Sequence, residues 1–199
     1  MESLWYSFTE WFRDWLAFFG LLHKEANLML IGLDFAGKTT LLGMLKMGRL
    51  KAVNPTFHAI KEELIIESIK FTCFDLGGHP EVRRIWRDYY PTTSAIVFVV
   101  DASDHSRIDE AKDELQGILK NEDIKEIPVL ILGNKIDAPS AMSEEELKIR
   151  LGLVQSTTGK DADPVSIKQR HIRPIEVFMC SIVQRHGFGE GFRWLSQYL

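Results

Sequence analysis

The sequence predicts an α/β domain with a mostly parallel, doubly wound sheet and one antiparallel edge strand. Three observations carry that expectation. Strand-like and helix-like segments alternate along the chain. Several strand segments are continuous apolar runs, such as Ala95-Ile96-Val97-Phe98-Val99-Val100, which require burial on both faces. Finally, Gly32-Leu33-Asp34-Phe35-Ala36-Gly37-Lys38-Thr39 fits G-x-x-x-x-G-K-[ST], a loop that joins a strand to a helix around bound phosphate. With 199 residues and 45% hydrophobic content, the chain is expected to bury one good core rather than two.

Taken in order, residues 28–31 read as a buried strand that feeds the glycine loop, and residues 39–46 as the helix after it. Strands at 63–66 and 69–74 follow in direct succession around Glu67-Ser68, which makes them a hairpin and supplies the antiparallel edge. Further strands are expected at 94–101, 128–133 and 175–180, and helices at 106–120, 143–151 and 190–198. The helix at 143 opens with Ser143-Glu144-Glu145-Glu146, a capping box. Between Leu153 and Arg173 the composition turns polar, so an elaborated surface loop is expected.

The glycine loop has specific mechanics. Its glycines let the backbone turn tightly so that successive N–H groups converge on an anion, and the following helix adds its positive end. Asp34, Phe35, Ala36, Gly37, Lys38, Thr39 and Thr40 are the candidate phosphate contacts. Lys38 would place an ammonium on the β- and γ-phosphates, and the Thr39 hydroxyl would ligate a magnesium ion bridging them. Asp34 is a further candidate for that metal. Four fixed positions match by chance on the order of once per hundred chains of this length, so the strand before and the helix after decide the matter.

Three later segments narrow the ligand to a guanine nucleotide. Asp75-Leu76-Gly77-Gly78 follows a strand, where Asp75 can hold magnesium through water and the Gly78 N–H can reach the γ-phosphate. Asn134-Lys135-Ile136-Asp137 ends another strand, where Asp137 can accept hydrogen bonds from the N1 and N2 donors of guanine. Adenine lacks that donor pair, which disfavours an ATP-dependent kinase. Lys135 can lie across the base, and Asn134 can tie this loop to the phosphate loop. After the last strand, Ser181 and Ile182 can offer backbone N–H groups to the guanine O6.

Composition limits the partners. Twenty-four basic against 28 acidic residues give a net charge of −4, which leaves no electrostatic footprint for nucleic acid. Cys73 and Cys180 sit in apolar strand-like runs without paired or metal-ligand spacing, as core residues of a reduced compartment do. No internal repeat, low-complexity tract or bilayer-length apolar run is present in the sequence.

At this point the residues resemble the Ras-like small GTPases and, within them, the Arf and Sar branch. Asp34 is typical of that branch, where Ras-type proteins usually carry glycine. The Sar type is the narrower resemblance, carried by Asp75-Leu-Gly-Gly-His79 with Arg83-Arg84-Ile-Trp86, by Asp104-His-Ser-Arg107, by the run from Arg173 to Ser181 and by the ending from Gly189 to Tyr198. It covers essentially the whole chain. The resemblance implies GTP and GDP as ligands with Mg2+, and slow GTP hydrolysis. Thr56 would be the switch threonine that meets the metal and γ-phosphate, and His79 would orient the attacking water. No arginine adjoins Thr56, so the missing charge would come from a partner, worth about 10³–10⁵ in rate where such arginines are known.

For Sar proteins that activator is an inner-coat subunit of the COPII coat, and an exchange factor in the endoplasmic reticulum (ER) membrane loads GTP. The resemblance thus implies a cytoplasmic protein, peripheral on the cytosolic face of ER and ER–Golgi membranes, with a monomeric soluble form. Two positions depart from the Sar pattern. Phe35 stands where asparagine is usual, which would set a bulky ring near the phosphates and magnesium, and Pro80 follows His79 where glutamate is usual. Neither removes a phosphate or guanine ligand. An Arf-like protein of another pathway, or a module that holds GTP without turning it over, stays open on this reading.

The first residues carry a separate signal. Residues 1–22 are expected to form an amphipathic helix, and residues 23–199 the GTP-binding domain. Leu4, Phe8, Trp11, Trp15, Phe19 and Leu22 fall on one side of a helical wheel, while Glu2, Ser3, Glu10, Arg13 and Asp14 fall on the other. Such a helix could pack permanently on its own domain or lie in a membrane interface. Three of the five tryptophans fall within the first 15 residues, which favours the interface. Glu2 stands where N-myristoylation requires glycine, and the acidic start without a small-residue cleavage site does not suit a signal peptide. As in Sar, aromatic bulk would replace the lipid, tucked away with GDP and exposed with GTP.

Overall fold

Strand β1, Ala26–Ile31, lies inside a six-stranded sheet and sends the chain directly into the glycine loop. The structure is a computed structural model and describes residues 26–47, 60–66, 69–75 and 86–199. After the loop come α1 (Lys38–Met47), β2 (Ile60–Ile66), β3 (Ile69–Asp75) and β4 (Ala95–Asp101). The chain continues through α2 (Ile108–Leu119), β5 (Val129–Asn134), α3 (Glu144–Leu151), α4 (Pro164–Gln169), β6 (Ile175–Met179) and α5 (Phe188–Ser196). The strand order is β2-β3-β1-β4-β5-β6. Among the described strands only the β2–β3 pair is antiparallel, with Ile66 opposite Ile69, so the hairpin edge and the parallel body both match the sequence expectation.

Period-two alternation sorts the apolar strand residues onto two faces. Leu28 and Leu30 of β1, with Ala95, Val97 and Val99 of β4, join one buried cluster that takes in Leu41 of α1 and Phe188, Phe192 and Leu195 of α5. Met29 and Ile31, with Ile96, Phe98 and Val100, join the other, covered by Ile108 and Leu115 of α2 and Leu147 of α3. Helices therefore lie on both faces of the sheet, and the fully buried run in β4 is the result. Each such large side chain contributes roughly 1.5–3 kcal/mol on burial.

Local signals fix the helix ends. Ser143 Oγ accepts a hydrogen bond from the Glu146 N–H at 3.1 Å, and Gly152, at φ +71°, closes α3 in the left-handed conformation. Arg173 Nε donates to the Ile127 carbonyl at 2.8 Å, and its Nη1 donates to the Leu119 carbonyl at 3.2 Å, where α2 ends. Burial lowers its guanidinium to about 10, still charged at neutral pH.

The polar stretch between Leu153 and Arg173 is more ordered than the surface loop expected from composition. It contains α4, started by Asp163, whose carboxylate accepts from the Val165 and Ser166 N–H groups, with Pro164 in the first turn. The stretch is held to the sheet by the buried Glu176 of β6, which accepts from the Gly159 N–H at 2.8 Å and pairs with Lys148 at 2.8 Å. Lys160 adds a bond to Glu144 at 2.6 Å and sits 4.8 Å above the Phe178 ring. Cys180 is buried as expected of a core cysteine, and burial pushes its thiol up to about 12. Cys73 lies within β3. The expected amphipathic helix at 1–22 and the boundary after it lie outside the described residues.

Candidate functional site

Residues 32–37 form the connection between β1 and α1, at the carboxyl end of β1. Both motif glycines are required by geometry. Gly32 has φ +138°, and a Cβ there would stand 2.2 Å from the Val99 carbonyl oxygen of β4. Gly37 has φ +108°, and its Cβ would stand 2.4 Å from Asn134 Nδ2. Lys38 is buried, and its ammonium donates to the Leu33 carbonyl at 2.8 Å, across the base of the loop. Thr39 and Thr40 follow in the first turn of α1, which holds no acidic residue to offset its positive end.

Phe35 adopts φ +60°, a left-handed conformation that disfavours residues with a Cβ. It is 64% exposed. The ring that the sequence sets near the phosphates is open to solvent in the loop itself. Asparagine tolerates this conformation best among non-glycine residues. Phe35→Asn is therefore expected to stabilise the fold by about 0.5–1 kcal/mol, read as a raised urea midpoint at unchanged slope. A lowered midpoint would mean that the ring contributes packing that outweighs the backbone cost.

The base-side motif closes onto the same loop. Asn134, at the end of β5, is buried; its Nδ2 donates to the Ala36 carbonyl at 2.8 Å and its Oδ1 accepts from the Ile182 N–H at 3.0 Å. One amide thus joins the phosphate loop to the segment after β6, as its sequence position suggests. Lys135, at φ +68°, pairs with Asp101 Oδ2 at 2.5 Å. Asp137 Oδ1 accepts from Ser181 Oγ at 2.5 Å, which leaves acceptor capacity on a carboxylate with about four lone-pair sites.

The two N–H groups expected to serve the guanine O6 are both committed within the protein. Ser181 N–H donates to the His186 carbonyl at 2.9 Å, and Ile182 N–H to Asn134. A carbonyl placed there would have to share them. The bridge between Ser181 and His186 depends on the tight turn that follows β6, and no motif in the sequence announces it.

Asp75 ends β3, two residues beyond Cys73, which pairs with Leu30 of β1. That register puts Asp75 level with Gly32 at the edge of the sheet from which the phosphate loop rises. Asp34 pairs with Arg107 Nη2 at 2.5 Å, a contact between residues that the sequence does not link. Among the described residues, no group of three or more His, Cys, Asp or Glu forms a metal cage. Thr56, Gly78, His79 and Pro80 lie outside the described residues.

The loop glycines leave no room for a Cβ, Lys38 and the acid-free helix end supply positive potential, and Asp137 keeps acceptor capacity beyond Ser181. These features suit a nucleotide with its phosphates at the carboxyl edge of the parallel strands. Comparison with known proteins agrees. A family model described as the ADP-ribosylation factor family matches residues 12–199. The small COPII coat GTPase SAR1 of Giardia intestinalis is 43% identical over 192 residues, covering 96% of this chain and 99% of that protein. The protein of the same name from Nicotiana tabacum is 43% identical over 195 residues, covering 96% and 98%. ADP-ribosylation factor K of Dictyostelium discoideum is 34% identical over 199 residues, covering 96% and 97%. The chain belongs to the ADP-ribosylation factor family of small GTPases.

Proposed function

We propose that this chain is a Sar-type switch that binds and slowly hydrolyses GTP and recruits the COPII coat to ER membranes. The observation that carries the reading is the Asn134 amide, which joins the phosphate loop to the Ser181–Ile182 segment beside Asp137 and so unites phosphate and base recognition. Identity of 43% to two COPII coat GTPases, against 34% to an ADP-ribosylation factor, supports the Sar type over an Arf-like protein of another pathway.

In this reading Lys38 and the loop N–H groups hold the β- and γ-phosphates. Thr39 and Thr56 would hold magnesium directly and Asp75 through water, and the bound ion would supply positive charge against the phosphates. Gly78 would meet the γ-phosphate, and His79 would orient the attacking water. Transfer passes through a loose transition state, so positioning matters more than proton removal. An activating coat subunit would supply positive charge from outside, and a membrane-bound exchange factor would load GTP. Residues 1–22 would insert in the GTP state, with residues 23–199 forming the nucleotide domain.

The test combines single-turnover hydrolysis with liposome flotation. His79→Gly is expected to bind GTP yet hydrolyse it slowly even with inner-coat activator. An unchanged stimulated rate would remove His79 from the mechanism. Flotation with a GTP analogue should persist in high salt, because residues 2–14 carry Glu2, Glu10 and Asp14 against Arg13 and insertion must rest on aromatics. Deletion up to Phe19 should abolish flotation and leave nucleotide binding intact. Equal flotation of GDP-loaded and GTP-loaded protein would defeat the coupling.

A further inference from the structure

The loop after β4 touches both halves of the nucleotide site through side chains that no motif assigns. It begins at Asp101, whose Oδ2 pairs with Lys135 of the base-side motif and whose Oδ1 accepts from the Ser103 N–H at 2.9 Å and the Ser103 hydroxyl at 2.6 Å. It ends at Arg107, whose Nη2 lies 2.5 Å from Asp34 Oδ1 in the phosphate loop and whose Nε donates to Glu110 Oε2 at 3.0 Å. Between them Asp104 Oδ1 accepts from the Ser106 hydroxyl at 2.6 Å, the Ser106 N–H at 3.1 Å and the Arg107 N–H at 3.2 Å. The backbone that carries Arg107 is therefore pinned. Leu33, Asp34, Ala36, Asp101, Asp104 and Arg107 line one shallow recess beneath the phosphate loop.

Two anions compete at this point. Asp34 belongs to the loop that the proposed nucleotide would fill with phosphate, and a carboxylate there repels phosphate unless a cation answers it. Arg107 answers it from the side, with about a third of its side chain exposed. The contact also fixes where the loop lies against α2. Glu110 restrains the guanidinium in the plane that reaches Asp34.

We propose that Arg107 is a positioning residue which, through Asp34, holds the phosphate loop in its binding shape and shields bound phosphate from the Asp34 carboxylate, so setting the rate of GDP release. The inference rests on the guanine-nucleotide reading above. It assigns a role to the segment from Asp101 to Arg107 as a strap between base-side and phosphate-side loops.

The experiment measures release of a fluorescent GDP from the full chain at fixed magnesium, for the parent, Arg107→Gln, Arg107→Lys, Asp34→Asn and the double variant. Circular dichroism with GDP bound establishes that each is folded. Arg107→Gln is expected to release GDP about tenfold faster, a smaller effect than for a fully buried charged pair. Arg107→Lys, which keeps the charge and loses the planar fork, should fall between. The decisive comparison is coupling: in the Asp34→Asn background, Arg107→Gln should have no further effect, because no carboxylate remains to be held. Acceleration of equal size in both backgrounds would overturn the role of Asp34 and reduce Arg107 to general support of the fold. Release unchanged by Arg107→Gln would overturn the inference alone. Failure of the parent chain to bind GDP would overturn the nucleotide reading and the inference together.

Discussion

Asp137→Asn is expected to lower GTP affinity by at least about a hundredfold and to transfer preference to xanthosine triphosphate. The carboxylate accepts one hydrogen bond from Ser181 Oγ, and an amide oxygen can keep it. The substitution therefore alters the base contact without stripping Ser181 of its partner. Guanine presents donors at N1 and N2, and an amide that offers one acceptor and one donor leaves one of them facing another donor. Hydrogen bonds to a charged group are worth about 1.5–3 kcal/mol each, so losing one and reducing the other to a neutral acceptor accounts for the expected drop. Xanthine carries a carbonyl where guanine carries its amino group, and the new amide donor suits it. Displacement of a fluorescent nucleotide by GTP, xanthosine triphosphate and ATP measures all three. Equal competition by ATP on the unmodified chain would remove the guanine reading, and unaltered GTP preference in the variant would remove Asp137 from it.

Asn134→Ala should be the most damaging single change among the described site residues for both fold and ligand. Two hydrogen bonds vanish in a buried place, leaving the Ala36 carbonyl and the Ile182 N–H without their partner. Unsatisfied buried groups cost about 1–3 kcal/mol each, so a stability loss of roughly 2–4 kcal/mol in urea unfolding is expected. Nucleotide release should quicken by at least about thirtyfold, because the phosphate loop and the Ser181–Ile182 segment are no longer tied to each other. Asn134→Asp separates the two contacts. It keeps an acceptor for Ile182 but sets a second acceptor against the Ala36 carbonyl, so it should also fail. Release within twofold of the parent for either variant would show that the tie does not govern the site.

Much of this architecture is legible in the chain because the physics is local. The runs in β4 and β5 announce burial on both faces, and the two-residue spacing between β2 and β3 leaves room for little but a hairpin. Strands are found at each expected place, though β2 begins at Ile60, earlier than its apolar pattern suggests, because Lys61 and Glu62 still pair across to β3. The phosphate loop and the Asn134 tie follow from motif spacing for the same reason.

What escapes the sequence is what depends on distant partners. Helix α4 hides in a polar stretch because only Ile167 of its six residues is buried, so no apolar periodicity marks it; Asp163-Pro164 is its one local signal. The Asp34–Arg107 pair joins β1's loop to α2's start, and nothing in either segment names the other. Likewise the engagement of the Ser181 N–H by His186 belongs to a turn whose conformation only the folded chain reveals.

The strand order has a consequence for how the protein is made. β1 emerges first from the ribosome, yet Leu28 must find its β3 partner Phe71 and, on its other side, Ala95 of β4. At about 5–20 residues per second, the second partner arrives roughly 3–13 s after the first strand. Throughout that interval the run Leu28-Met29-Leu30-Ile31 is exposed in the nascent chain. Closure comes later still, since Gly191 of α5 is what lies against Leu130 and Leu132 of β5. Without α5, Leu130 and Leu132 would lose their cover, and only α1 would remain over that face among the described helices. Synthesis of α5 thus acts as the licensing step for this part of the core, and the interval before it is when a chaperone has something to hold.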